Sequence, residues 1–189
     1  MIRIGILGDI GSGKSYIAKN FGYPVFNADN EVGKLYKKNR KVFKKLKKVL
    51  PEYIYSFPIS KKEITNAILS SKINLKKIIK IVHLEIKNKM NIFLRNNKSK
   101  KIIILDIPLL LENRINKKKD ILVYVQSNKE IVLKRLKKRP NFNAKLIKKF
   151  KDIQLPPYYK KKKSHFIIKN NFTNKSIKKE IRYILKQIL

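Results

Sequence analysis

A chain of 189 residues with 48 Lys and Arg against 12 Asp and Glu, and with no cysteine, has room for one substantial core and excludes disulfides and thiolate metal sites. Its N-terminal apolar run is short, lacks a basic segment before it and is interrupted by Asp9, so neither a signal peptide nor a membrane span is expected. The formal charge of +36 is dispersed lysine, accompanied by abundant Asn, Ile, Tyr and Phe, all residues of A- and T-rich codons. Base composition therefore accounts for much of the charge. A cytoplasmic protein is expected, monomeric or a small homo-oligomer, with no membrane and no specific nucleic-acid partner despite the basic surface.

Ile2 to Leu7 reads as a buried strand and leads directly into Gly8-Asp9-Ile10-Gly11-Ser12-Gly13-Lys14-Ser15, a complete G-x-x-x-x-G-K-[ST] phosphate-binding loop. Glycines let backbone N–H groups turn toward phosphate oxygens, Lys14 reaches the outer phosphates, and the Ser15 hydroxyl suits Mg2+. A turn that merely joins a strand to the helix expected at Lys14 to Phe21 needs neither lysine nor hydroxyl. Further strands are expected at Pro24 to Phe26, Lys101 to Leu105, Ile121 to Val125 and Phe166 to Ile168. Strands alternating with helices indicate an α/β fold with a mainly parallel five-stranded sheet, and the continuous apolar first, third and fourth runs form its centre. Between Asn30 and Asn97 no strand is evident, and the spacing of Ile64, Ile68, Leu75, Ile78, Ile79 and Val82 predicts amphipathic helices. Pro51 and Pro58 break that helical stretch, with Tyr53, Tyr55 and Phe57 between them as local core. From Arg139 to Lys163 the chain is basic and punctuated by proline, with Pro156-Pro157 ending a helix, a composition suited to a mobile lid.

Phosphoryl transfer requires carboxylates near Mg2+ and the acceptor, and cations near the phosphates. Asp29 lies just beyond the second strand, where strand ends face the ligand crevice of a doubly wound sheet; it reads as a base or orienter of an acceptor hydroxyl, or as a helix N-cap. Asp106 ends the hydrophobic third strand, the place of a carboxylate that holds Mg2+ directly or through water. Glu112 reads equally as a substrate contact or a surface charge. Arg135 and Arg139, two of seven arginines in a chain that otherwise uses lysine, fall at i and i+4 and are expected to share a helix face. His83, on an apolar stretch, reads as a packed and hydrogen-bonded histidine and not as a metal ligand.

In this order the pieces resemble the dephospho-CoA kinase family. Ile4-Gly5-Ile6-Leu7-Gly8-Asp9-Ile10-Gly11-Ser12-Gly13-Lys14-Ser15 resembles the family opening I-G-L-T-G-G-I-G-S-G-K-S, and Asp106-Ile107-Pro108-Leu109-Leu110-Leu111-Glu112 is similar to D-[IV]-P-L-L-[FY]-E. Asn27-Ala28-Asp29 stands at the family's D-A-D, Ile81-Val82-His83-Leu84 at I-x-H-P, and Arg135 to Arg139 at R-x-x-x-R; Gln154 lies near a lid glutamine. The resemblance implies a P-loop kinase fold in one domain over 1–189, with core 1–29, 98–138 and 164–189, a helical acceptor-binding insertion at 30–97 and a lid at 139–163. It implies ATP-dependent phosphorylation of the ribose 3'-hydroxyl of dephospho-CoA, with Mg2+. Asp29, Lys14 and Arg139 would then be catalytic. Gly8, Gly11, Ser12, Gly13, Lys14, Ser15, Tyr16, Arg135 and Asn170 would contact ATP. Asp29, His83, Asp106 and Leu109 would contact the acceptor, with Mg2+ on Ser15 and on Asp106 through water.

The chain departs from the pattern at Asn27 for the first aspartate, Tyr16 for threonine, Leu84 for proline, His165 for an acidic residue and Phe150 near a lid arginine. An amide at position 27 cannot act as a base or balance a metal charge, which leaves Asp29 to act without that neighbour. The rival expectations are another P-loop nucleoside or nucleotide kinase, a nucleic-acid-binding NTPase, and an inactive relative.

Overall fold

The computed structural model describes residues 1–140 and 142–189. Five strands, β1 (Ile2–Gly8), β2 (Val25–Asn27), β3 (Ile102–Asp106), β4 (Ile121–Ser127) and β5 (Phe166–Asn170), form one sheet in the order β2-β3-β1-β4-β5. Every neighbouring pair is parallel, with Ile4 opposite Ile104 on one side of β1 and Leu7 opposite Tyr124 on the other. The first, third and fourth apolar runs are thus the three central strands. All five residues of β3 and six of seven in β1 are buried, as a parallel sheet covered on both faces requires.

The helices are α1 (Lys14–Asn20), α2 (Ala28–Lys38), α3 (Arg40–Val49), α4 (Lys61–Ser70), α5 (Lys72–Asn96), α6 (Lys129–Lys137), α7 (Ala144–Lys151), α8 (Pro157–Lys162) and α9 (Asn174–Ile188). Contacts divide the chain into two compact units: Met1–Asn27, Asn97–Phe142 and Ile153–Leu189 form one, and Ala28–Asn96 with Asn143–Asp152 the other. In the sheet unit, Ile4, Ile6, Ile104, Val123 and Ile168 from the strands pack with Ile17 of α1 and Ile177, Ile181 and Ile184 of α9. Isoleucine and valine suit both needs, since β-branched side chains favour strands and their burial drives packing.

The second unit is entirely helical. Leu75, Ile78, Val82, Ile86 and Met90 make one buried stripe along α5, at the three- and four-residue spacing of a helix face, and α2, α3 and α4 pack on that helix. Lysines fill the opposite faces: in α3, Val42 and Leu46 are buried while Lys41, Lys44, Lys47 and Lys48 are exposed. Between α3 and α4 the aromatic segment is not the local core. Ile54 is fully buried and Leu50 and Ile59 nearly so, whereas Tyr55 is 67% exposed and Phe57 lies partly buried against Phe43 and under Arg40. Glu63 organises this turn: its two carboxylate oxygens accept from the N–H groups of Tyr55, Ser56 and Ser60 and from the Ser56 hydroxyl, completing a capping box with Ser60.

Two local readings are corrected. Arg135 and Arg139 do not share a helix face, because α6 ends at Lys137 and Arg139 lies beyond its cap. Pro140 follows, and a residue preceding proline is driven out of helical conformation. Pro156-Pro157 opens α8 instead of ending a helix: Pro156 is its N-cap and Pro157 its first residue, where a missing N–H costs nothing. Of the stretch 139–163, α7 belongs to the helical unit and α8 to the sheet unit.

Candidate active site

The phosphate loop connects β1 to α1 at the C-terminal end of the central strand. Gly13 caps α1 in a left-handed conformation (φ +93°), and a Cβ there would lie 2.4 Å from Asn170 Nδ2. Only glycine combines that conformation with that approach. The loop closes on itself through Ser12 N–H donating to the Asp9 carbonyl at 3.1 Å. Lys14 Nζ donates to the carbonyls of Gly8 (3.0 Å) and Asp9 (2.8 Å), so its ammonium is held over the loop.

Two neighbouring strands pin the loop from outside. The buried Ser12 carbonyl accepts from Ser127 Oγ at the end of β4 (2.9 Å) and from Asn170 Nδ2 at the end of β5 (2.7 Å). Asn170 also accepts from Phe172 N–H through Oδ1, and Phe172 holds a positive φ of 64°. The Phe172 ring lies 4.3 Å from the Arg135 guanidinium carbon, which places that exposed arginine beside the loop by a cation–π contact. Ser15 and Tyr16, in the first turn of α1, are exposed, and the Tyr16 hydroxyl donates to Asn174 Oδ1.

Asp106 ends β3, 3% exposed, directly opposite Asn27 of β2 in the parallel register. Asn27 Nδ2 donates to Asp106 Oδ2. Two carboxylates in these places would repel; one amide and one carboxylate satisfy each other without a cation. Leu109 is partly buried in the turn beyond β3, and Glu112 in that turn accepts from Leu155 N–H at 2.9 Å, fastening the segment before α8. Neither of the two roles considered for Glu112 describes that bond. His165, exposed before β5, pairs with β4 through Nδ1, which accepts from Leu122 N–H.

Arg139 is exposed beyond α6. In the helical unit, Asp29 is exposed in the first turn of α2, beyond the cap position, where a carboxylate favours the helix dipole. His83 is partly buried on α5, and its Nε2 is enclosed without a hydrogen-bond partner, so at that nitrogen the expected hydrogen bond is not made.

Three participants escaped the sequence reading. Ser127 stands at a strand end, where its position was a signal. Asp9 and Lys160 form an ion pair at 3.3 Å, and Lys160 is 2% exposed inside what reads as a lysine run.

A glycine-cradled loop with a lysine over it, an exposed hydroxyl at the head of α1 and a carboxylate on the adjacent strand fit a nucleotide polyphosphate with Mg2+. The described residues hold no cluster of three His, Cys, Asp or Glu side chains. Mg2+ is commonly held by few protein ligands together with substrate phosphates and water.

A family model for dephospho-CoA kinase matches residues 2–176. Dephospho-CoA kinase of Rickettsia typhi is 31% identical over 191 residues, covering 100% of this chain and 98% of its own. That of Wolbachia from Brugia malayi is 30% identical over 190 residues, covering 98% and 97%. Among solved structures, a Thermus thermophilus protein superposes with a TM-score of 0.77 at 23% identity, over 100% of this chain and 98% of its own. The dephospho-CoA kinase of Campylobacter jejuni gives 0.63 at 22%, over 98% and 96%. Shikimate kinase of Acinetobacter baumannii gives 0.51 at 15%, over 100% and 93%, a likeness of fold.

Proposed function

The chain belongs to the dephospho-CoA kinase family, a family of ATP-dependent kinases of coenzyme A biosynthesis, and on that premise we propose that it phosphorylates the ribose 3'-hydroxyl of dephospho-CoA. The observation that carries the reading is the phosphate loop, complete in sequence and pinned at Ser12 from both β4 and β5, beside a buried aspartate at the end of β3.

In this mechanism the acceptor 3'-oxygen forms a bond to the γ-phosphorus of ATP while the bond from that phosphorus to the β–γ bridging oxygen breaks, giving ADP and coenzyme A. Asp29 takes the hydroxyl proton or orients it. Lys14 leaves the Gly8 and Asp9 carbonyls for the β- and γ-phosphate oxygens, an exchange of neutral acceptors for charged ones. Arg139 adds positive charge at the transferring group, and Arg135 and Asn170 serve the nucleotide side. Ser15 and, through water, Asp106 would hold Mg2+, which when bound would supply positive charge to neutralise the phosphates. His83 and Leu109 serve the acceptor, and residues 139–163 act as a lid. The chemistry belongs to the cytoplasm, and the reading requires no nucleic acid.

The test is Asp29→Asn. Turnover should fall by about 10²–10⁴-fold with ATP affinity nearly intact, as loss of a general base does. Unchanged turnover removes Asp29 from the mechanism.

A further inference from the structure

Lys160 is a buried lysine in a protein whose other lysines are mostly solvated. Its side chain is 2% exposed, and its ammonium lies 3.3 Å from Asp9 Oδ1 and 3.3 Å from Gln154 Oε1. Such burial is costly unless the charge is paired and hydrogen-bonded, and both partners are present. Asp9 is a member of the phosphate loop itself, the residue whose carbonyl also receives Lys14. Its carboxylate, 39% exposed, is a negative charge within the loop that must receive a polyphosphate anion. The same charge, after burial, helps push the Tyr124 hydroxyl up to about 12. The resembled family opening carries glycine where this chain has Asp9.

We propose that Lys160 is a positioning residue for nucleotide binding, its buried ammonium masking Asp9 so that the phosphate loop admits ATP. This rests on the reading of the loop as the ATP site. Lys160 comes from α8, far along the chain, so formation of the phosphate site depends on that helix being docked at β1. Gln154, just before α8, accepts a hydrogen bond from the same ammonium through Oε1.

The experiment compares wild type, Lys160→Gln, Lys160→Arg, Asp9→Asn and the double variant Asp9→Asn/Lys160→Gln, measuring Kd for ATP, ADP and AMP by calorimetry, with thermal unfolding alongside. K160Q should weaken ATP at least tenfold, with a smaller loss for ADP and the least for AMP, because the unmasked carboxylate repels in proportion to phosphate charge. K160R should recover most of the loss, D9N alone should bind ATP as well as wild type or better, and the double variant should return to within about twofold of D9N, the non-additivity expected of two side chains in contact once the repelling partner is gone. The proposal is overturned if K160Q binds ATP like wild type, if D9N is as impaired as K160Q, or if the double variant stays impaired. If K160Q unfolds, K160R, D9N and the double variant decide: ATP binding by K160R within about threefold of wild type, with D9N and the double variant unimpaired, supports the proposal, and weakened binding in D9N or in the double variant overturns it. A wild-type protein that binds no ATP overturns the reading of the loop together with this proposal, whereas the other failures strike only the role of Lys160.

Discussion

Replacing Ser127 and Asn170 by alanine, singly and together, tests how the phosphate loop is held. Both side chains donate to one acceptor, the carbonyl of Ser12, a residue 2% exposed. Ser127→Ala removes one donor and leaves the other, so the carbonyl stays satisfied and the cost is that of a single net hydrogen bond, about 0.5–1.5 kcal/mol. Asn170→Ala also removes the acceptor for Phe172 N–H, which raises its cost to about 1–3 kcal/mol for two bonds. In the double variant the carbonyl is buried with neither donor, and an unsatisfied buried acceptor costs a further ~1–3 kcal/mol. The double loss should therefore exceed the sum of the single losses by at least ~1 kcal/mol. Urea unfolding of the four proteins, with unchanged m-values, measures this directly. ATP KM should follow the same order, since the loop that loosens is the one that binds phosphate. Additivity within about 0.5 kcal/mol would show that the two donors act independently and refute the pinning argument.

Glu63 gives a pH signature in the helical unit. Burial pushes its carboxyl up, but the N–H groups of Ser56, Tyr55 and Ser60 and the Ser56 hydroxyl outweigh that and hold it at about 2, below its ordinary 4.5. A depressed carboxylate contributes fully above the unfolded value and loses its contribution as pH falls toward the folded one, here between about 4.5 and 2. Glu63→Gln should cost ~2–3 kcal/mol at neutral pH and much less near the lower end of that window; an equal cost at both pH values contradicts the network. Asn27→Asp should place a second carboxylate beside Asp106, lowering stability by about 1–3 kcal/mol without metal and regaining part of it in millimolar Mg2+. A variant with the parent's melting temperature in EDTA would show that the Asn27 amide is not what satisfies Asp106.

The sheet was legible because its central strands are continuous runs of β-branched and leucine side chains, and a run buried on both faces needs no partner information to be recognised. The phosphate loop was legible for a related reason: its glycines, lysine and serine are adjacent in sequence, so the chemistry is local. What holds the loop was not. Ser127 and Asn170 reach it from strand ends 115 and 158 residues away and Lys160 through an ion pair; the family resemblance marks Asn170 and a strand-end position marks Ser127, but no local pattern tells what either grips or that Lys160 is buried. Lys160 in particular sits among Lys161, Lys162 and Lys163, and composition alone cannot tell the one buried ammonium from its solvated neighbours. The arginine pair failed for a local cause: spacing assumed a continuous helix, and the proline after Arg139 ended it. The aromatic segment at 53–57 misled because aromatic character was read as burial, while Ile54 takes the interior and Tyr55 faces water.

The most direct test of the central claim is ADP formation from ATP and Mg2+ with dephospho-CoA, in parallel with AMP, dTMP, RNA and no acceptor, the product identified by mass. ADP matched one for one by coenzyme A, in the dephospho-CoA reaction alone, is the predicted result. Silence with dephospho-CoA and turnover on a nucleotide or RNA would contradict it.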